Sequence, residues 1–199
     1  KKALHEEHHK LARLACENSA VLLKNEGGIL PVGEKVQAAV IGDFAFEPRY
    51  QGAGSSMVNS TKVDSIKDML ETSGISITGI VRGYQRDGKE DEAMKKEAVD
   101  LARRSDVVLF FFGLNEKSET EGLDRKHLRI PQNQINLIQE LAKANANMVG
   151  IISAGSVIEM PWHHHFKALL HTALMGQAGA GAVLDILSGK VNPSGKLAE

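Results

Sequence analysis

The sequence predicts an α/β protein: a three-layer α/β/α sandwich around a mainly parallel sheet of about five or six strands. Three observations lead there. Short apolar runs alternate along the chain with segments of helical periodicity, the order expected of βα units. One run, Val107-Val108-Leu109-Phe110-Phe111-Phe112, is apolar at every position, as in a central strand covered by helices on both faces. The 199 residues hold no internal repeat, low-complexity tract or dividing linker, so residues 1–199 read as one domain with a sizeable core.

Each element has its own signal. Leu4, His8, Leu11, Ala15, Asn18 and Leu22 recur at helical spacing, with Leu14 and Val21 widening the stripe, and predict a first helix from about residue 3 to 24. Asn25-Glu26-Gly27-Gly28 and Pro31 end it. Val36 to Gly42 reads as a buried strand, followed by a polar, glycine-rich stretch from Asp43 to Lys62. Ile66, Met69 and Leu70 mark a short helix closed by Gly74; Ile75, Ile77 and Ile80 mark the next strand. Met94, Ala98, Leu101 and Ala102 stripe a helix from roughly residue 90 to 104. The apolar run from Val107 follows, and then a long polar segment from Leu114 to Pro131. Ile135, Ile138, Leu141 and Ala142 mark a helix, Met148 to Ile152 a strand, and Ala168-Leu169-Leu170 a last strand. Ala182, Leu184, Ile186 and Leu187 belong to a closing helix that ends by Gly189.

Composition narrows the function. Twenty-four Lys and Arg against 25 Asp and Glu, a formal net charge of −1, give no global attraction to nucleic acid or an anionic membrane. No stretch approaches the ~18 apolar residues of a membrane span. A lone cysteine, Cys16, excludes an intrachain disulfide framework and a cysteine-based zinc site, and its helical spacing marks it as a small buried apolar residue. The start, Lys1-Lys2-Ala3-Leu4-His5-Glu6-Glu7, is too charged for a signal peptide. It opens inside a helical pattern, and the end stops without a closing element, as in a fragment of a longer chain. The single cysteine and the charged start lean towards a cytoplasmic setting, with the compartment of the parent left open.

Open parallel sheets bind ligands at the carboxyl ends of their strands. Two unusually long polar loops are predicted there, one after each central strand. The first holds Tyr50-Gln51-Gly52-Ala53-Gly54-Ser55-Ser56, where glycines permit close backbone approach and hydroxyls can donate and accept. It lacks the third glycine of a dinucleotide fingerprint and does not join its strand directly to a helix. Gly54, Ser55 and Ser56 are candidates for binding sugar hydroxyls. The second holds Ser118-Glu119-Thr120-Glu121-Gly122-Leu123-Asp124-Arg125. Glycosidic cleavage needs a carboxylic acid that donates to the leaving oxygen and then, as carboxylate, takes a proton from water. Asp124 and Arg125 are candidates to pair and fix the loop. A solvated charged loop is the plain alternative on composition alone.

At these residues the sequence resembles a known family, the C-terminal α/β sandwich domain of glycoside hydrolase family 3, of β-glucosidase type. The matching segments run in order. They are His9-Lys10-Leu11-Ala12-Arg13 through Ser19-Ala20-Val21-Leu22-Leu23-Lys24-Asn25 and Leu30-Pro31; Val40-Ile41-Gly42; Gly52 to Ser56; Glu121-Gly122-Leu123-Asp124-Arg125 through Leu128 and Pro131; and Asn192-Pro193-Ser194-Gly195-Lys196-Leu197. Pro161-Trp162 and Gly176-Gln177 also fit, whereas Ala178 replaces an acid usual in the family. The resemblance implies a retaining exo-acting β-glycosidase, β-glucosidase- or β-xylosidase-like, that hydrolyses O-glycosidic bonds of β-linked oligosaccharides or glycosides. It implies Glu121 as acid/base, with Glu119 the second choice, and a nucleophilic Asp in an N-terminal TIM barrel of the same parent. No such barrel is present; Ser105-Asp106 reads as a strand start, and the isolated chain is expected to be inactive. A double displacement on carboxylates requires no metal or organic cofactor. The alternative is a non-catalytic sugar-binding or structural domain.

Other features have plainer readings. His163-His164-His165 is tempting as a metal site, but consecutive residues project in different directions, and a surface run is expected. Trp162 reads as packing rather than a sugar platform, and Phe110-Phe111-Phe112 as core. His8-His9 reads as solvated, and Asp43 as a loop cap. The sugar and the linkage are not written in this sequence.

Overall fold

A computed structural model describes residues 2–197. In chain order the elements are α1 (Lys2–Ser19), β1 (Val21–Asn25), β2 (Ala38–Ile41), α2 (Ile66–Ser73), β3 (Ile77–Val81), α3 (Glu92–Arg103), β4 (Val107–Gly113), α4 (Gln132–Ala144), β5 (Met148–Ser153), β6 (Ala168–His171) and α5 (Gly179–Leu187). The apolar run is β4, buried at all seven positions and lying inside the sheet. Its side chains alternate: Val107, Leu109 and Phe111 enter one core, Val108, Phe110 and Phe112 the other. Helices α1, α2 and α5 cover the first face, and α3 and α4 the second. Three layers follow directly from that alternation. Among the described residues no helix is long and apolar enough to cross a membrane.

The sheet order is β1-β6-β5-β4-β2-β3. The pairs β3–β2, β2–β4, β4–β5 and β5–β6 are parallel, and β1 runs antiparallel to β6. After β2 the chain moves outward to β3, then returns to the other side of β2 as β4. The loops that leave β2 and β4 therefore diverge at a topological switch point, where such sheets hold ligands.

One predicted element is different. The first helix stops at Ser19, and Val21–Asn25 is the edge strand β1 rather than its last turns. Leu22 packs into the core under α1, whereas Leu23 packs into the opposite core, so successive side chains face opposite sides of the sheet. Leu22 lies at a helical spacing from Asn18 and also at a strand position beside Leu23. A short apolar run does not separate the two periods. The junction is locked from the far end of the chain. The Gly195 N–H donates to the Ala20 carbonyl at 3.1 Å, and a Cβ at Gly195 would sit 2.2 Å from the Ser19 carbonyl oxygen. That is the physical need for glycine in Asn192-Pro193-Ser194-Gly195.

The other helices form where their apolar stripes predict. Ser65 caps α2 by accepting the Asp68 N–H at 3.1 Å, and Asp91 caps α3 by accepting the Met94 N–H at 3.0 Å. Each such cap contributes about 1 kcal/mol. Cys16 is buried on α1, and burial pushes its thiol up to about 11, so it is packing rather than chemistry.

Candidate active site

Three loops meet at the carboxyl edge of the sheet: Arg49–Ser56 after β2, Glu116–Arg125 after β4, and Ala154–Ser156 after β5. The first two are stitched by a bridge between Ala53 and Thr120, and the Glu121 N–H donates to the Ala53 carbonyl at 3.2 Å. Gly54 makes the stitch possible. Its φ is +90°, and a Cβ there would come within 3.0 Å of the Glu121 Cβ and 3.3 Å of its nitrogen. The Ser55 hydroxyl donates to Oε2 of Glu121. Gly52, Ala53, Ser56, Glu119, Glu121 and Arg125 help line a shallow depression of about 500 Å³. The Glu121 side chain lies exposed at its rim.

Glu119, two residues earlier, has the opposite environment. Its side chain is only 8% exposed. Oε1 accepts the Ser156 hydroxyl at 2.7 Å, Oε2 accepts the Gly155 N–H at 3.1 Å, and Arg49 Nη2 lies 3.5 Å from Oε2. Arg49 is itself 1% exposed and donates to the Gln51 carbonyl. Neither Arg49, Gly155 nor Ser156 stood out in the sequence. Their signal was positional: the loop after β5 also opens at the carboxyl edge and had to adjoin the other two. His171, near Glu119, is driven down by burial, against an upward pull from the Glu119 carboxylate.

The predicted pairing of Asp124 with Arg125 is not formed among the described residues. Arg125 Nη1 donates instead to Ser156 Oγ at 2.9 Å and to the Val157 carbonyl at 2.6 Å, while Asp124 stays exposed. An ion pair with an exposed carboxylate gains little in water, so the two hydrogen bonds from Arg125 to the loop after β5 prevail. Ser55 reaches Glu121, Gly54 underlies it, and Ser56 lines the same depression. Asp43 is buried at the end of β2 and holds two guanidiniums, Arg82 and Arg86, the latter at 3.1 Å. It anchors the strand end rather than only capping a loop.

Other marked residues resolve into structure. Trp162 is 3% exposed, edge-on to Phe112 at 5.0 Å and to Phe166 at 5.7 Å, which makes it core. His163 and His164 turn their Nδ1 atoms back onto the Met160 and Pro161 carbonyls, and no group of three or more His, Cys, Asp or Glu among the described residues is placed to hold a metal. His9 is not simply solvated: it contacts Asp64 at 2.7 Å and Gln177 at 3.0 Å. A hollow of about 470 Å³ at the opposite edge of the sheet contains Asp106 and Lys167. There Asp106 accepts the Gln37 N–H at 2.8 Å and Lys167 donates to Asn147 at 2.6 Å, so both are spent on strand starts.

Residues 20–199 match the Glycosyl hydrolase family 3 C-terminal domain. The chain belongs to glycoside hydrolase family 3. It is 44% identical over 196 residues to thermostable β-glucosidase B of Acetivibrio thermocellus, covering 96% of this chain and 26% of that protein. It is 43% identical over 203 residues to an exo-α-(1→6)-L-arabinopyranosidase of Bifidobacterium breve, covering 96% of this chain and 27% of the relative. The crystal structure of a family 3 β-glucosidase from Bifidobacterium adolescentis superposes with a TM-score of 0.93 at 43% identity, over 98% of this chain and 29% of that one. The chain thus spans about a quarter of the length of these relatives. It is the family 3 C-terminal domain of β-glucosidase-type glycosidases, with the sandwich fold that the sequence predicts.

Proposed function

We propose that this domain supplies Glu121 as the general acid/base of a retaining exo-acting β-glycosidase, β-glucosidase- or β-xylosidase-like, whose nucleophilic carboxylate belongs to a barrel domain of the same parent. The observation that carries this reading is the contrast between two carboxyls on one loop. Glu121 stands exposed at the switch-point rim with a single hydroxyl partner, while both oxygens of Glu119 are committed to Ser156 and Gly155. A retaining pair needs two free carboxyls ~5–5.5 Å apart. Both oxygens of Glu119 are already engaged, which supports a second carboxyl supplied from outside this domain. Leu123 is exposed on the loop after β4, and Met57, Val58 and Val157 are exposed just beyond the other two loop segments, apolar side chains suited to meeting another domain.

The chemistry then runs in two steps. Glu121 as acid gives its proton to the glycosidic oxygen while the barrel carboxylate attacks the anomeric carbon. The aglycon leaves as an alcohol and the sugar remains as a glycosyl ester. Glu121, now a carboxylate, takes a proton from water as the water oxygen attacks the same carbon, and the ester carboxylate is released. Ser55 orients the Glu121 carboxyl between the steps.

The test compares the full-length protein with Glu121→Gln on two β-glucosides, one with an activated aryl leaving group and one with an alkyl leaving group. Turnover of the alkyl glucoside falls by about 10²–10⁴-fold, the range for a lost general acid, while glycosylation by the aryl glucoside suffers less and azide partly restores deglycosylation. Equal turnover of both substrates would make Glu121 a loop residue and the domain a structural or sugar-binding partner. The domain alone should hydrolyse neither substrate; Glu121-dependent turnover by it would overturn the two-domain site.

A further inference from the structure

We infer that Glu119 is a positioning residue for Glu121, held by buried Arg49 so that one carboxylate joins all three loops of the site. This rests on the reading of Glu121 as acid/base. Arg49 comes from the loop after β2, and its guanidinium is buried. Among the described residues its Nε and Nη2 have no hydrogen-bond partner; the carboxylates nearest them are Glu119 at 3.5 Å and Glu116 at 4.0 Å, both on the loop after β4. A buried cation whose counter-charges all lie on one loop holds that loop in place, because withdrawing them leaves the charge unpaired in a poor solvent.

Glu119 passes the constraint on. Its two oxygens take the Gly155 N–H and the Ser156 hydroxyl from the loop after β5. Ser156 in turn accepts from Arg125, which lies four residues beyond Glu121. The segment bearing Glu121 is therefore clamped on both sides: at Glu119 by Arg49 and the β5 loop, and at Arg125 by Ser156 and Val157. Between the clamps, Glu121 has, among the described residues, only the Ala53 carbonyl on its N–H and the Ser55 hydroxyl on its carboxylate. An exposed side chain so lightly held takes its position from the backbone beneath it. An acid must sit within hydrogen-bond reach of the leaving oxygen, so the clamp sets whether the proton arrives.

The experiment uses the full-length glycosidase with Glu119→Ala, Glu119→Gln, Ser156→Ala and Glu121→Gln. Each is assayed on the aryl and alkyl β-glucosides across pH, with product analysis in added azide. Glu119→Ala is expected to lose of order 10²-fold on the alkyl substrate, mostly in kcat, and clearly less on the aryl one. It keeps the alkaline limb of the pH–rate profile and forms no glycosyl azide, because the Glu121 carboxyl is still present. Glu119→Gln keeps an acceptor for Ser156 and recovers part of the loss; Ser156→Ala shows the same leaving-group pattern in milder form. These two variants decide the matter should Glu119→Ala fail to fold. Wild-type leaving-group sensitivity in all three would overturn the positioning role while leaving Glu121 untouched. Loss of the alkaline limb together with glycosyl azide from Glu119→Ala would make Glu119 the proton carrier. Glu121→Gln turning over both substrates normally would remove the reading on which the role rests, whatever the Glu119 variants do.

Discussion

The domain uses charge in two ways, at the carboxyl edge of the sheet and in the seam between α1, α5 and the loop before α2. In the seam, buried carboxylates have two cationic or histidine partners each. Asp185 accepts from Arg13 Nε at 2.9 Å and lies 3.8 Å from Lys190, and Asp64 meets His9 at 2.7 Å and Lys62 at 3.1 Å. At the edge, Glu119 is as fully engaged as these, but Glu121 is left with one hydroxyl. A carboxylate so engaged ties elements together and is less available to a substrate. The two regions differ in how their carboxyls are held: Glu121 and Asp124 stand exposed at the edge, whereas the seam carboxylates are buried against cationic or histidine partners.

The largest break in that comparison is expected at Gly54. Gly54→Val places a branched side chain at φ +90° and against the Glu121 Cβ. On the proposed role of Glu121, displacing its carboxyl by about 1 Å costs of order 10²-fold in kcat. The measurement is kcat on an alkyl β-glucoside beside a thermal scan; a large stability loss with unchanged activity per folded molecule would refute the placement. In the seam the expected pattern is reversed. Arg13→Ala removes the main partner of a carboxylate on α5 whose residue is only 8% exposed, at a cost of about 2 kcal/mol, with kcat/KM of the folded protein unchanged. Ser55→Ala should come next, about fivefold on the alkyl substrate for one exposed charge-assisted bond worth about 1 kcal/mol, with the aryl substrate less affected.

How much of this was legible from residues alone follows the same division. Strand β4 and the three layers were legible because full burial on both faces forces a continuous apolar run. Helices α2 and α3 were legible from their periodic apolar stripes, and α2 also from Gly74 at its end. The edge strand β1 was not, since Leu22 satisfies both periods and only the pairing with β6 decides. At the site, Glu121 and Ser55 were legible through motif and loop placement. The contrast in surroundings between Glu119 and Glu121 was not, because it depends on Arg49 from one loop and Ser156 from another. His9 misled for a similar reason: its partners Asp64 and Gln177 lie 55 and 168 residues away in sequence.

The smallest expected effect sharpens the seam rather than the site, and it is a matter of pH. Asp64 is buried, which raises its carboxyl, but bonds from His9 and Lys62 outweigh burial and hold it below the ordinary aspartate value of about 3.9. In the unfolded chain Asp64 takes up its proton near that ordinary value; in the folded chain it resists until lower pH. Between the two the unfolded state binds more protons, so stability falls as pH falls. The contribution is complete above about pH 5 and is lost as pH drops through the folded value. Asp64→Asn lacks the titration. The difference in stability between wild type and Asp64→Asn, at most about 1 kcal/mol, should be present at pH 5 and shrink below about pH 4. Chemical unfolding of the two proteins at matched pH reads it directly. A difference that persists unchanged to pH 3 would mean that the His9–Asp64 contact holds α1 by shape alone, and that the seam, like the edge, contains a carboxyl whose charge is not needed for the fold.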